Sequence, residues 1–276
     1  MVFLGSIYAL EQLRLANQFS RAAFGQKLQR PDKQFNTVIV CGLGRIGARV
    51  VQMLRLSKLC PDVVVVCSEE TPESAIDEVE RFGARTIRGD ARDSAVLLEA
   101  GIERAYSVAA MFSDDLRNVQ IGLTARNMRP DVHLVLRVFS DVLAEGLTTL
   151  FGSHAAFSTS ALAAPTLASA AIMPGVEKSF DIGAQLFGSL ELVVQANDIF
   201  AGRRIKEVRE TTRILVIIVR RAGQSLSDLS LETLVQPGDE LVVVAELNVL
   251  AALPKAALTP TSSPPALKAA APTAKP

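Results

Sequence analysis

Val38-Ile39-Val40-Cys41-Gly42-Leu43-Gly44-Arg45-Ile46-Gly47 is a short β-branched run that ends directly in G-x-G-x-x-G. The order matters more than the glycines. A G-x-G-x-x-G that closes an apolar strand and opens a helix is the phosphate end of a dinucleotide-binding βαβ unit. Gly42 permits the tight turn, and Gly44 lets the backbone approach a pyrophosphate. Gly47 lets the following helix, Arg45 to Leu56, pack close to the strand. The first N–H groups of that helix and the positive end of its dipole then face the anion.

Working outward, the pattern alternates from Thr37 onward. Strands are expected at 37–41, 63–66, 85–87, 105–110 and 133–138, with a further edge at 155–157. Helices are expected at 45–56, 73–82, 94–100, 114–127, 141–150 and 161–171. Strands separated by such helices indicate βαβ units and a parallel sheet. Pro174-Gly175 is a break signal. Beyond Asp181 the texture changes to strands at 189–195, 213–220 and 240–246 with a short helix at 206–208. Gln236-Pro237-Gly238-Asp239 supplies the turn before the last strand. The fold class is therefore α/β: a Rossmann-like doubly wound parallel sheet followed by a small α+β module.

The 276 residues are 49% hydrophobic with no Trp, which predicts an aliphatic core of the kind buried parallel sheets use. Lys+Arg and Asp+Glu are both 29, so charge makes no case for nucleic acid as a partner. Cys41, Cys60 and Cys67 have no C-x-x-C spacing and no nearby His. A disulfide framework or zinc site is not expected, and Cys41 and Cys67 read as small buried residues at strand ends. No window reaches the ~18 apolar residues of a membrane-spanning helix. Phe3, Ile7, Leu10, Leu13, Phe19 and Phe24 lie at helical spacing over 3–28. They predict an amphipathic helix docked on its own domain or a partner, or a remnant of or docking element for a membrane protein. The tail from 255 is Ala, Pro, Thr, Ser and Lys without periodicity and is expected to be disordered.

Several longer stretches carry a family likeness. They are Val38–Gly47, and Gly89-Asp90-Ala91-Arg92-Asp93 followed by Leu97-Leu98-Glu99-Ala100-Gly101-Ile102-Glu103-Arg104-Ala105. Ser113-Asp114-Asp115 with Asn118, Leu123–Arg126, Ala201-Gly202-Arg203 and Leu234–Val243 complete the set. On these the chain resembles the regulator-of-conductance-of-potassium (RCK) proteins, the TrkA-N plus TrkA-C arrangement, over residues 37–247. An N-terminal amphipathic helix (1–35), read from its periodicity, precedes what the resemblance implies: a nucleotide-binding TrkA-N domain (36–158) and a linking helix and hinge (159–180). A TrkA-C domain (181–250) and a tail (251–276) follow.

The resemblance also implies a non-enzymatic regulator in the cytoplasm, held at the inner face of the membrane by a potassium channel or transporter subunit. It implies a homodimer or octameric ring, with NAD(H) or ATP/ADP as ligand. The expected ligand residues are Gly42, Leu43, Gly44, Arg45, Ile46 and Gly47, then Ser68 and Glu69, Asp90 and Ala91, Phe112 and Ser113, and Arg137. The acid that normally ends the second strand and holds the ribose is replaced by Cys67, leaving Ser68 or Glu69 for that task. Asp90 reads equally as a turn former, and Asp114 as a helix N-cap. Neither His133 nor His154 sits with a Ser, Cys or carboxylate at motif spacing in the sequence, so no hydride-transfer acid/base set is read there. An NAD(P)-dependent oxidoreductase and a regulatory module of a cation/proton antiporter are the alternative readings.

Overall fold

The structure is a computed structural model, described over residues 37–59, 62–152 and 155–253. The expected N-terminal helix, the tail, Cys60 and His154 lie outside the described residues.

The first sheet has six strands in the order β3-β2-β1-β4-β5-β6. They are β1 (Thr37–Cys41), β2 (Asp62–Cys67), β3 (Arg85–Arg88), β4 (Ser107–Ala110), β5 (His133–Val138) and β6 (Ala156–Ser158). Between them run α1 (Arg45–Ser57), α2 (Glu73–Arg81), α3 (Ser94–Glu99), α4 (Asp115–Met128) and α5 (Asp141–Phe151). Pairing is parallel, with Val38 opposite Val63 and Val64 opposite Arg85. Val63, Val64, Val65 and Val66 are all fully buried, as a strand covered on both faces requires. Helix starts follow side-chain chemistry. Asp93 accepts from the Ala95 N–H ahead of α3, and Ser140 from the Leu143 N–H ahead of α5.

The chain divides into two compact units, Met1–Val108 with Thr124–Val132, and Ala109–Leu123 with His133–Pro276. The second unit continues through α6 (Thr159–Ile172) into an antiparallel five-stranded sheet of order β10-β9-β11-β8-β7. Its strands are β7 (Val176–Ile182), β8 (Gln185–Val193), β9 (Leu215–Arg221), β10 (Gln224–Ser225) and β11 (Glu240–Glu246), with helices α7 (Ile205–Thr212) and α8 (Leu247–Ala251). In β11 burial alternates, so Leu241, Val243 and Ala245 face a core shared with Leu190, Leu192, Phe200, Val208 and Ile214.

Two strand readings need correction. β7 was not expected; the chain after Gly175 goes straight into a strand that pairs with β8 through a tight Gly183-Ala184 turn. Only two of its seven residues are buried, so its sequence has no apolar run to announce it. For the same reason β8 starts at Gln185, four residues before the expected Ser189. The tight turn before β11 is as expected: Gly238 takes φ +87°, and the Asp239 N–H donates to the Gln236 carbonyl at 3.1 Å.

Among the described residues no helix is long and apolar enough to cross a membrane. Cys41 and Cys67 are both buried, and burial pushes the Cys67 thiol up from its ordinary value.

Candidate functional site

In the first unit the strand order reverses at β1, and a ligand in an open α/β sheet binds outside the carboxyl ends of the strands at such a reversal. The glycine loop leaves β1 there. Gly42 adopts φ +104°, a conformation an L side chain resists, and its N–H donates to the Val66 carbonyl at 2.8 Å. One strand over, the Gly89 N–H donates to the Cys67 carbonyl at 2.9 Å. These bonds tie the ends of β1, β2 and β3 together, so Gly42–Gly47, Ser68–Glu69 and Asp90–Ala91 all emerge at one edge.

Gly44 is the N-cap of α1. Its φ is −98°, which any residue adopts, and a Cβ built on it would meet no heavy atom within 4 Å. Neither backbone strain nor packing therefore demands glycine here. Asp, Asn or Ser would cap the helix better. The first turn of α1 carries no acid and the N-cap makes no side-chain bond to it, so no side-chain cap or first-turn charge offsets the positive end of the helix dipole there. Such a cradle fits a phosphate. Arg45 and Ile46 are exposed beside it, Leu43 is half-buried, and Gly47 is buried against the sheet.

At the end of β2 the side chain of Cys67 turns inward, its Sγ donating to the Ile87 carbonyl at 3.6 Å. Ser68 is half-buried, and its Oγ lies 3.2 Å from the Thr71 hydroxyl; the Glu69 carboxylate is exposed. The following loop is organised by Arg88, which sequence reasoning missed. Its guanidinium donates to the carbonyls of Glu69 at 2.9 Å and Thr71 at 3.2 Å and pairs with Glu73 at 2.6 Å. Its only sequence signal was a cation at the last position of a short strand.

Asp90 has the turn role. Its carboxylate accepts from the Arg92 backbone N–H at 3.0 Å and from the Arg92 guanidinium, and its carbonyl accepts from the Asp93 N–H. Ala91 is fully buried, leaving only its backbone for a ligand.

The second unit holds the other predicted residues. Phe112 is half-buried with the Arg117 guanidinium 3.8 Å from its ring centroid, a cation–π contact, and Ser113 is exposed. Asp114 accepts from the Arg117 N–H at 3.2 Å, as an N-cap does. Arg137 is half-buried and donates to the carbonyls of Met111 and Phe112 at 3.4 and 3.2 Å, so those contacts, rather than a carboxylate, hold it.

What shapes this edge is Asn118, wholly buried. Its Oδ1 accepts from the Phe112 N–H at 3.0 Å, and its Nδ2 donates to the Phe112 and Arg137 carbonyls, both at 2.8 Å. It joins the ends of β4 and β5. Asn118→Ala would leave the Phe112 N–H and the Arg137 carbonyl unmet in the interior, with Arg137 alone on the Phe112 carbonyl. The expected loss is about 3 kcal/mol of stability, read from chemical denaturation. Asn118→Leu, which restores volume without hydrogen bonds, is expected to recover little of it.

Residues 38–159 match the TrkA-N domain family, and residues 190–256 match the TrkA-C domain family, together more than half of the chain. The chain belongs to the TrkA-N/TrkA-C family, that of the RCK proteins. It is 26% identical over 223 residues to a Trk system potassium uptake protein TrkA homolog of Pyrococcus horikoshii, covering 77% of this chain and 93% of that one. It is 23% identical over 216 residues to potassium channel protein 1 of Methanocaldococcus jannaschii, covering 77% of this chain and 64% of that one. A solved structure of the GsuK channel shares the fold with TM-score 0.50 and 23% identity, covering 80% of this TrkA-N/TrkA-C chain and 39% of the channel.

Proposed function

We propose that this chain is a nucleotide-binding regulatory subunit that gates a potassium channel or transporter by a ligand-dependent change of shape, and that it is not an enzyme. The observation that carries the proposal is Gly44: a helix N-cap whose missing side chain serves nothing inside the protein and leaves room for a phosphate at the dipole's positive end. The names of the relatives, potassium uptake and potassium channel proteins, supply the transported ion. Gly42–Gly47 would hold the phosphate, with Arg45 as a further cation. Phe112, Ser113 and Arg137 are proposed for the remainder of the ligand, and Asp90 and Ala91 for backbone contacts.

NAD(H) and ATP or ADP are the proposed ligands. With Cys67 turned inward, the ribose falls to Ser68 and Glu69, and the phosphates carry most of the affinity. Discrimination between NAD and adenine mononucleotides is therefore expected to be modest.

We infer a homodimer, or a ring built from dimers, at the cytoplasmic face of a membrane partner. α6 supports this: Leu162, Leu167 and Ile172 are 65%, 68% and 72% exposed on a helix of otherwise small residues. Leu162→Asp with Leu167→Asp is expected to yield a monomer by light scattering, with secondary structure retained. A hinge at Pro174-Gly175 would let nucleotide occupancy alter the dimer, which a ligand achieves only through different affinity for the two shapes. The direct test is co-purification from detergent-solubilised membranes. A potassium-transport protein should be retained, with retention or ion flux changing on nucleotide addition. Hydride transfer from NADH to a carbonyl substrate would overturn the proposal.

A further inference from the structure

The first unit carries an apolar groove of about 700 Å³ that the nucleotide reading uses only at its Arg45–Ile46 end. It follows α1 from Arg45 and Ile46 in the first turn, past Val50, Met53 and Leu54, to Leu59, with Val38 and Tyr106 as its other wall. Ile46 and Met53, two turns apart on α1, and Leu59 just beyond its end are 36%, 41% and 69% exposed, large apolar side chains on a face no described element covers.

We propose that this groove is the seat of the chain's own N-terminal segment, residues 3–28, laid as a helix along α1. Three observations select that occupant. The described chain begins at the groove: Thr37 precedes the lining residue Val38, and its carbonyl accepts from the N–H of the lining residue Tyr106 at 2.7 Å. The segment has the matching chemistry, with Phe3, Ile7, Leu10 and Leu13 recurring at helical spacing. The lengths set how much of it fits: α1 has 13 residues, so the groove is about 20 Å long and takes about half of the segment as a helix, while residues 29–36 extended span about 26 Å and let the chain turn back. The far end of the groove is Arg45, at the phosphate cradle, so the segment would end against the nucleotide-binding loop.

The test uses the full chain with Met53→Cys as the reporter and Cys60→Ser to remove an extra thiol; Cys41 and Cys67 are buried. The rate at which a thiol reagent modifies the introduced cysteine is compared in that protein and in the same protein carrying Ile7→Asp and Leu10→Asp. The expected result is labelling about tenfold faster in the second, with both remaining at one oligomeric state. Equal, fast labelling in both overturns the proposal, because nothing then covers the groove. Slow labelling in both that is lost on dilution, together with dissociation by light scattering, also overturns it and assigns the groove to a second copy.

Discussion

Gly44→Asp is expected to abolish nucleotide binding without weakening the fold. The carboxylate would stand where the phosphate is proposed, at the N-terminus of α1, where its charge repels the ligand and its volume occupies the cradle. An affinity loss of at least about a hundredfold is expected, about 2.8 kcal/mol. Stability should move the other way. Asp is among the best N-cap residues and would accept from the bare N–H groups of the first turn, adding a few tenths of a kcal/mol. Thermal melting with and without nucleotide separates the effects: an unchanged or raised midpoint without ligand, and no shift with it. A Gly44→Asp protein that melts early would mean the glycine serves packing after all. Gly44→Ala is a graded control, since its methyl fills part of the same open space.

The second large effect lies in the small antiparallel sheet. Asp239 is 1% exposed at the start of β11. Its carboxylate accepts from Arg221 through Nε at 2.7 Å and through a second nitrogen at 2.8 Å, and from the Gln236 N–H at 2.8 Å. One side chain thus closes the 236–239 turn and joins β9 to it. Burial pushes the carboxyl up, but the hydrogen bonds from Arg221 and the Gln236 N–H and the charge of Arg221 outweigh it and hold its pKa below the ordinary value. Asp239→Ala leaves the Arg221 guanidinium only the Leu234 carbonyl and the Gln236 N–H no acceptor, and a loss of about 3 kcal/mol is expected.

The sign of the pH dependence follows from the direction of that shift. The folded state prefers the ionised form, so the contribution is complete above the unfolded value, about 4. It is lost as pH falls through the lower folded value. Wild-type protein should therefore weaken below about pH 4 more steeply than Asp239→Asn. A pH series of denaturation midpoints reads this; parallel curves would show that the pair contributes nothing to acid sensitivity.

Most of the first sheet could be read from the sequence because its strands are unbroken β-branched runs. Val63–Val66 can hardly be anything but a strand covered on both faces, and β1, β5 and β11 begin and end where expected. The small module was less legible where strands are half-exposed. Val176–Ile182 reads Val-Glu-Lys-Ser-Phe-Asp-Ile, and its status as a strand comes from pairing with β8, which no local pattern reveals.

The candidate site divides in the same way. The glycines and the helix they open are a local motif and were visible. The contacts that hold the rest are long-range: Arg88 bonds back across the sheet to the 69–73 loop, and Asn118 joins Phe112 to Arg137. The inward turn of Cys67 depends on the Ile87 carbonyl of the neighbouring strand. The sequence could flag the missing ribose acid, but not that its replacement faces away.

The most direct measurement is calorimetric titration of the full chain with NAD, NADH, ATP and ADP, repeated with Gly44→Asp. Saturable binding of at least one of them, one per chain, and its loss in the variant are the predicted results. Heats at the level of dilution for all four would contradict the assignment of the glycine loop as a nucleotide sensor, and so would binding that survives Gly44→Asp unchanged.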